Sequence, residues 1–379
     1  MKDLMNPIQM VDLHSQYLRI KPEMDAAIQR VLDSSAFIQG TPVTDFEDKL
    51  SQYTGSKYVI SCGNGTDALT AALMALGIGP GDEIITTPFT FVATVEAVAL
   101  VGARPVFADV CEGTFMLDVE RLERAITPKT KAIIPVHLYG QCVDMEILLK
   151  ISKQHNISVI EDACQAVGTE YTFPDGQVKQ AGTMGDIGCL SFFPSKNLGC
   201  YGDGGALLTQ DATLAERLRM ICRHGSKERY RHEIIGLNSR LDTLQAAILN
   251  VKLNHLDEYI VARQKAATYY QQALCDIDWI SLPKSAPHST HTYHQFTVRV
   301  RNGKRDALKQ FLGDNGIPSM IYYPVPAHLQ PAYACLNYRE GDFPTAEQLC
   351  KEVLSLPMHT ELTDAQLEHI CLTIKNFPL

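Results

Sequence analysis

A chain of 379 residues, 45% of them hydrophobic, is long enough for one large globular domain and a smaller companion. Its 34 basic and 43 acidic residues leave a net charge of -9, which excludes a nucleic-acid binder that works by neutralising phosphates over a broad face. Eleven cysteines without a Cys-x-x-Cys pair exclude a disulfide framework, and no apolar run approaches the ~18 residues of a membrane span, so a cytoplasmic protein with reduced thiols and no membrane partner is expected.

Pro22 ahead of Met24, Ala27, Ile28, Val31 and Leu32 sets a helical spacing with proline in the first turn, where its missing N–H costs nothing. Short Val/Ile runs then alternate with helical patterns. Strands are expected at 57–62, 83–87, 105–110, 132–138 and 158–161, and helices at 67–76, 90–101, 119–126 and 145–155. Such alternation predicts an α/β fold whose mainly parallel sheet is covered on both faces. Two more apolar runs, 187–193 and 206–209, read as strands continuing that sheet, which sets the intervening Lys196 at a sheet edge or strand end. One long helical pattern over 241–274 is long enough to bridge two domains. Beyond it, 295–300 reads as a strand with alternating faces, 304–315 as a helix, and Thr363-Asp364-Ala365-Gln366 as a capping box opening a last helix. The expected division is a large domain at 1–250, then a linking helix and a small α+β domain at 251–379.

Ligands of open α/β sheets settle beyond the carboxyl ends of the strands, and three segments at such ends carry chemistry. Gly63-Asn64-Gly65-Thr66 joins a strand to a helix, so it is either a plain turn or a phosphate cradle of backbone N–H groups with the Thr66 hydroxyl added. Asp162 ends an apolar strand, where its carboxylate calls for a cationic partner or serves as a helix cap. Lys196 stands on the Gly-flanked turn Ser191-Phe192-Phe193-Pro194-Ser195-Lys196-Asn197-Leu198-Gly199. A lysine that forms a Schiff base with pyridoxal phosphate and an acid facing the pyridinium nitrogen are the minimum kit for amino-group chemistry on that cofactor.

Other features are weaker. Gln165, three residues after Asp162, is spaced to bond the cofactor's ring hydroxyl, and Phe91 either stacks on a flat ring or is core. Gly77-Ile78-Gly79-Pro80-Gly81 reads as a helix stop, and the basic cluster 223–232 as a solvated loop or a contact for a diphosphate or carboxylate. His288, His291 and His294 lack neighbouring Cys or carboxylate ligands, so no metal is expected. Gly63-Asn64-Gly65 does not complete the Gly-x-Gly-x-x-Gly turn of a nucleotide-binding dehydrogenase.

Taken in order, Gly65-Thr66-Asp67-Ala68-Leu69, Thr90-Phe91-Val92-Ala93-Thr94, Glu161-Asp162-Ala163-Cys164-Gln165, the lysine turn with Tyr201-Gly202-Asp203-Gly204-Gly205, and Asn238-Ser239-Arg240-Leu241-Asp242 resemble the DegT/DnrJ/EryC1/StrS sugar aminotransferases. The resemblance runs through Phe343-Pro344-Thr345-Ala346-Glu347 and covers nearly the whole chain. It implies a fold-type-I, pyridoxal-phosphate-dependent homodimer with a seven-stranded-type sheet and active sites at the subunit interface. By match, Lys196 is the Schiff-base and acid–base residue, Asp162 faces the pyridine nitrogen, Gln165 the ring hydroxyl, and Phe91 stacks on the ring. Gly65, Thr66 and Ser191 hold the phosphate, Asn238 reaches it from the partner subunit, and Arg240 lies near the substrate. Tyr322, Tyr323 and His328 are further candidates for reading the substrate.

Within the family the chain looks closest to the branch that aminates C3 of UDP-2-acetamido-2-deoxy-3-keto-glucuronate with L-glutamate, on the way to surface polysaccharide. The alternatives are another NDP-keto-sugar, such as a dTDP-3-keto or 4-keto-6-deoxy sugar, or a non-enzymatic regulator on the same fold. Sugar dehydratases of the family carry His in place of the lysine, which Lys196 argues against. Two departures stand out: Asn64 replaces the usual Ser, and Tyr322-Tyr323-Pro324 replaces the commoner His-Tyr-Pro.

Overall fold

The computed structural model describes residues 7–378. Three helices open it, α1 (Leu13–Arg19), α2 (Lys21–Ser34) and α3 (Thr41–Thr54), the latter two with proline in the first turn. Strands and helices then alternate as β1 (Tyr58–Cys62), α4 (Gly65–Ala75), β2 (Glu83–Thr86), α5 (Val92–Leu100), β3 (Arg104–Phe107), β4 (Thr130–Ile133), α6 (Met145–His155) and β5 (Ser158–Asp162). A hairpin of β6 (Glu170–Thr172) and β7 (Val178–Gln180) precedes β8 (Ile187–Ser191), β9 (Gly205–Thr209) and α7 (Ala212–Ile221). A second hairpin, β10 (Ser226–Glu228) with β11 (Arg231–His232), leads to α8 (Thr243–Leu253) and α9 (Leu256–Leu274). The remainder is β12 (Ile280–Ser281), β13 (Phe296–Val300), α10 (Arg305–Asp314), α11 (Pro344–Glu352), β14 (Val353–Leu356) and α12 (Asp364–Lys375).

Seven strands join in the order β1-β9-β8-β5-β4-β2-β3. Strands β8, β5, β4, β2 and β3 are mutually parallel, and β9 runs antiparallel to both β8 and β1. Successive residues of each strand enter opposite cores. Val59, Ile85, Val159, Leu190 and Leu208 pack on one face, and Ile60, Ile84, Ile160, Cys189 and Leu207 on the other. Burial on both sides explains why these strands read as unbroken apolar runs. No helix among the described residues is long and apolar enough to cross a membrane.

Three expectations are corrected. The helix expected at 119–126 is only a 3-10 turn, Leu122–Ala125, because a single fully buried side chain, Leu122, cannot repay the cost of nucleating a longer helix. The long helix expected over 241–274 breaks at Asn254 and His255. Helix α8 is buried against α2 and α3, whereas α9 turns away into a separate C-terminal core through Ala266, Ala267, Tyr270 and Leu274. The boundary set at 250/251 therefore falls inside α8, and the chain changes direction at the α8–α9 break. Finally, β13 is buried on both faces rather than alternating. Phe296, Val298 and Val300 fill this C-terminal core, while Arg299 on the opposite face pairs with Glu352 and with Glu112, which follows β3. The capping box forms as expected: Thr363 and Gln366 bond each other's backbone at the start of α12.

Candidate functional site

A cavity of about 670 Å³ opens where the carboxyl ends of β1, β5 and β8 meet the start of α5, and it is lined by Gly65, Thr66, Phe91, Asp162, Gln165, Ser191 and Lys196. Seven of the residues singled out for the cofactor therefore converge. Its volume lies within the ~300–1,000 Å³ usual for small-molecule sites.

One wall is built by the turn after β1. Asn64 caps α4, its Oδ1 accepting from the Asp67 amide at 2.8 Å, so the departure from Ser at this position keeps a cap-competent side chain. Gly65 begins the helix, and a Cβ there would lie 2.8 Å from Ser191 Cβ and 3.0 Å from Cys164 Sγ. Only glycine lets the helix N-terminus approach the end of β8 this closely. The outcome is a concave set of N–H groups and hydroxyls suited to an anion.

The floor is the end of β5. Asp162 is 6% exposed, its Oδ2 accepting from the Thr94 hydroxyl at 2.8 Å and its Oδ1 from the Cys164 amide at 3.3 Å. The preceding Glu161 is fully buried and accepts from the amides of Gly182, Met184 and Gly185 and from His137 Nε2 at 2.8 Å. Because the Val143 amide donates to His137 Nδ1, the ring proton sits on Nε2 and is given to Glu161. This cluster ties the β5 end to the turn before β8, and hence Asp162 to the strand that leads to Lys196.

Gln165 is held at both ends of its amide. The Tyr139 N–H donates to Oε1 at 2.8 Å, and Nε2 donates to the Tyr323 hydroxyl at 3.2 Å. Tyr139, at a left-handed φ of 59°, also donates its hydroxyl to the Tyr322 carbonyl. Phe91 is 53% exposed with its ring centroid 5.9 Å from that of Tyr323, so it is a cavity side chain and not core.

Lys196 is half-buried on the wall beyond β8, on a turn closed by its own N–H to the Phe193 carbonyl at 2.8 Å. Desolvation by the surrounding protein lowers the pKa of its amine, with Cys164 and Asp162 opposing. Amines shifted this way are the ones that serve as bases near neutral pH.

His294 and Gln295 also line the cavity and were missed as site residues, His294 having been weighed only as a metal ligand. Burial, and then Lys196 and Arg263, hold its imidazole well below the ordinary range and therefore neutral. His288 packs on Tyr171 and His291 stacks on Tyr293 at 3.9 Å, so the three histidines do not converge. Asn238 is exposed and Arg240 half-buried beyond the β10–β11 hairpin, and neither lines the cavity. Tyr322 and Tyr323 do line it. His328 does not: it is 2% exposed, bonds Glu347 Oε1 through Nε2 at 3.0 Å and packs among Phe107, Tyr338 and Phe343, which corrects its expected substrate role.

The donor set fits pyridoxal phosphate: an amine, a carboxylate opposite it, an amide donor beside the carboxylate, an aromatic face and an anion cradle. The profile of the DegT/DnrJ/EryC1/StrS aminotransferase family matches residues 18–375. The chain is 48% identical over 98% of its length to the pleiotropic regulatory protein of Geobacillus stearothermophilus, covering 98% of that protein. It is 47% identical over 97% of its length to the UDP-2-acetamido-2-deoxy-3-oxo-D-glucuronate aminotransferase of Pseudomonas aeruginosa, covering all of it. A dTDP-3-amino-3,4,6-trideoxy-alpha-D-glucose transaminase of Streptomyces venezuelae is 42% identical over 95% of this chain and 93% of its own. The X-ray structure of S. venezuelae DesV in complex with a ketimine intermediate superposes with a TM-score of 0.94 at 41% identity, covering 98% of both chains. This chain is a member of the DegT/DnrJ/EryC1/StrS aminotransferase family, a pyridoxal-phosphate-dependent aminotransferase of fold type I.

Proposed function

We propose that the enzyme moves the amino group of L-glutamate to C3 of a UDP-linked 3-keto sugar, UDP-2-acetamido-2-deoxy-3-keto-glucuronate, for surface polysaccharide, and works in the cytoplasm as a homodimer with shared sites. The observation that carries the chemistry is Lys196 and Asp162 on one cavity, with the lysine amine lowered by desolvation. The 47% identical relative named for the 3-oxo-glucuronate supports the acceptor.

When bound, the cofactor supplies a carbonyl that links to amines and a ring that takes up the electrons left when a carbon gives up its proton. The N–H groups at the start of α4, the Thr66 hydroxyl and Ser191 would hold its phosphate, Asp162 would face its ring nitrogen, Gln165 Nε2 would donate to its ring oxygen, and Phe91 would cover one face. Lys196 Nζ would take the α-proton of glutamate, whose amino group stays with the cofactor while water supplies the keto oxygen and 2-oxoglutarate leaves. In the second half-reaction the same nitrogen delivers a proton to the sugar carbon that gains the amine, so one group acts as base and then as acid. Asn238 and Arg240, placed away from their own chain's cavity, would serve the partner's site, Asn238 at the phosphate and Arg240 at the substrate.

The test is spectroscopic and chemical. Purified protein should show a visible cofactor band that borohydride fixes covalently to Lys196, that Lys196→Ala lacks, and that glutamate bleaches. A panel of UDP- and dTDP-linked keto sugars then decides the acceptor, and turnover with dTDP sugars alone would overturn the uronate assignment in favour of the chemistry named for the S. venezuelae relative. Relatives named as a pleiotropic regulatory protein and as a sensory transduction protein give the non-enzymatic reading its support. Retention of Lys196 with Asp162 on an open cavity weighs against it.

A further inference from the structure

We propose that Thr94, polarised by Thr90, is the positioning residue that aims the Asp162 carboxylate at the cofactor's ring nitrogen, an inference resting on the role given to Asp162 above. The three side chains are 1%, 6% and 6% exposed for Thr94, Thr90 and Asp162, so water does not compete for their hydrogen bonds. Thr94 Oγ1 donates to Asp162 Oδ2 at 2.8 Å and lies 3.0 Å from Thr90 Oγ1. A threonine has one hydroxyl hydrogen, and that of Thr94 is committed to the carboxylate, which cannot donate in return. Thr90 is therefore the donor of the second bond, and the two hydroxyls form a directed chain, Thr90 to Thr94 to Asp162, in which each bond strengthens the next.

The carboxylate needs this restraint. The main chain of Asp162 is fixed on both sides, its N–H donating to the Pro135 carbonyl at 2.9 Å and its carbonyl accepting from the His137 amide at 3.0 Å. The torsion that turns the carboxylate plane is nonetheless broad and roughly two-fold, so backbone order alone does not aim it. On the Oδ1 side the Cys164 amide makes a long bond, 3.3 Å. Thr94 thus occupies Oδ2 and leaves Oδ1 with spare acceptor capacity for a ring N–H. Thr94 shares the first turn of α5 with Val92, Ala93 and Val95, so its hydroxyl is the side-chain polar atom this turn offers the carboxylate.

The test is a cycle between protein and cofactor. Apoenzyme of wild type, Thr94→Val and Thr94→Ser is titrated with pyridoxal phosphate and with its 1-deaza analogue, in which C–H replaces the ring nitrogen, and binding is read by fluorescence. Wild type should prefer the true cofactor. Thr94→Val, equal in shape but without the hydroxyl, should cut that preference about tenfold or more, the usual worth of a bond to a charged group, while the deaza affinity holds within about threefold. Thr94→Ser should restore the preference, and Thr90→Val, which removes only the polarising donor, should lower it by about threefold. Equal losses for both ligands in Thr94→Val, or an unchanged preference, would overturn the inference, because Thr94 would then be scaffolding only. A wild type without any preference, while hydride still traps the cofactor on Lys196, would remove Asp162's role and this inference with it, and leave the lysine chemistry standing.

Discussion

Replacing Lys252 with methionine should stabilise the protein at neutral pH and abolish a rise in stability on the alkaline side. Lys252 lies on α8, 1% exposed, with Nζ 4.5 Å from the centroid of the Tyr201 ring and no carboxylate partner among the described residues. Burial pushes its amine down to about 8 from 10.5, with Cys200 opposing weakly. Below that folded value both states carry the proton, and the native state bears the full cost of a buried charge. Between about 8 and 10.5 the unfolded chain holds the proton and the native chain does not, so stability climbs with pH across that window. The span of about 2.5 pKa units corresponds to about 3.4 kcal/mol. The attraction of the ammonium to the Tyr201 ring offsets about 1 kcal/mol of it.

An unfolding entropy of about 2.1 cal/mol/K per residue makes about 0.8 kcal/mol/K for this chain, so the remaining ~2.4 kcal/mol should raise Tm by about 3 °C. Methionine keeps the unbranched stem that fills the space between α8 and the Tyr201 loop. Thermal unfolding of both proteins from pH 7 to pH 10 should therefore show K252M ahead by about 3 °C at pH 7, with the gap narrowing as the wild-type amine loses its proton. A gap that stays constant with pH, or a variant less stable than wild type at pH 7, would refute the assignment of Lys252 as an unpaired buried cation.

Gly65→Ala should weaken pyridoxal phosphate binding by about tenfold or more with the far-UV spectrum unchanged, since the new methyl would sit against Ser191 and Cys164 at the anion cradle. Fluorescence titration of the apoenzyme reads the loss. Glu161→Gln should cost about 3 kcal/mol or more in urea unfolding, because a side-chain NH2 replaces an acceptor at a site where three amides and His137 all donate. A change below about 1 kcal/mol would mean the cluster tolerates a donor there.

The alternation of apolar strands with helical patterns was readable because it follows from burial of the sheet on both faces, and Lys196, Asp162 and Gly65 were readable because unusual chemistry at strand ends is rare. The antiparallel course of β9 was not, since β8 and β9 are equally apolar and direction is set by the connection through the lysine turn. Tyr139, His137 and Thr94 are ordinary residue types whose roles arise only when β4, β5 and α5 meet. His328 misled for a related reason. It follows the cavity tyrosines closely in sequence, but the Ala327 amide bonds the Pro88 carbonyl at 2.7 Å and the 3-10 turn Ala327–Leu329 directs the imidazole inward, to Glu347. The break between α8 and α9 was hidden because the apolar spacing runs on through Asn254 and His255, and only the burial of α8 between α2 and α3 forces the change of direction.

The orientation of Gln165 shows how the two ends of the cavity are made interdependent. A backbone N–H can only donate, so the bond from Tyr139 fixes Oε1 inward and leaves the NH2 group facing Tyr323 and the cavity. The same tyrosine bonds the Tyr322 carbonyl, and the hydrogen bonds close a circuit from Tyr139 through Gln165 and Tyr323 to Tyr322 and back. Displacing the segment at 322–323 therefore breaks the bond that holds Gln165 Nε2, and rotating Gln165 strands a buried amide of Tyr139. In consequence, the Gln165 amide and the two cavity tyrosines are set by one network, and a substitution at either end is felt at the other.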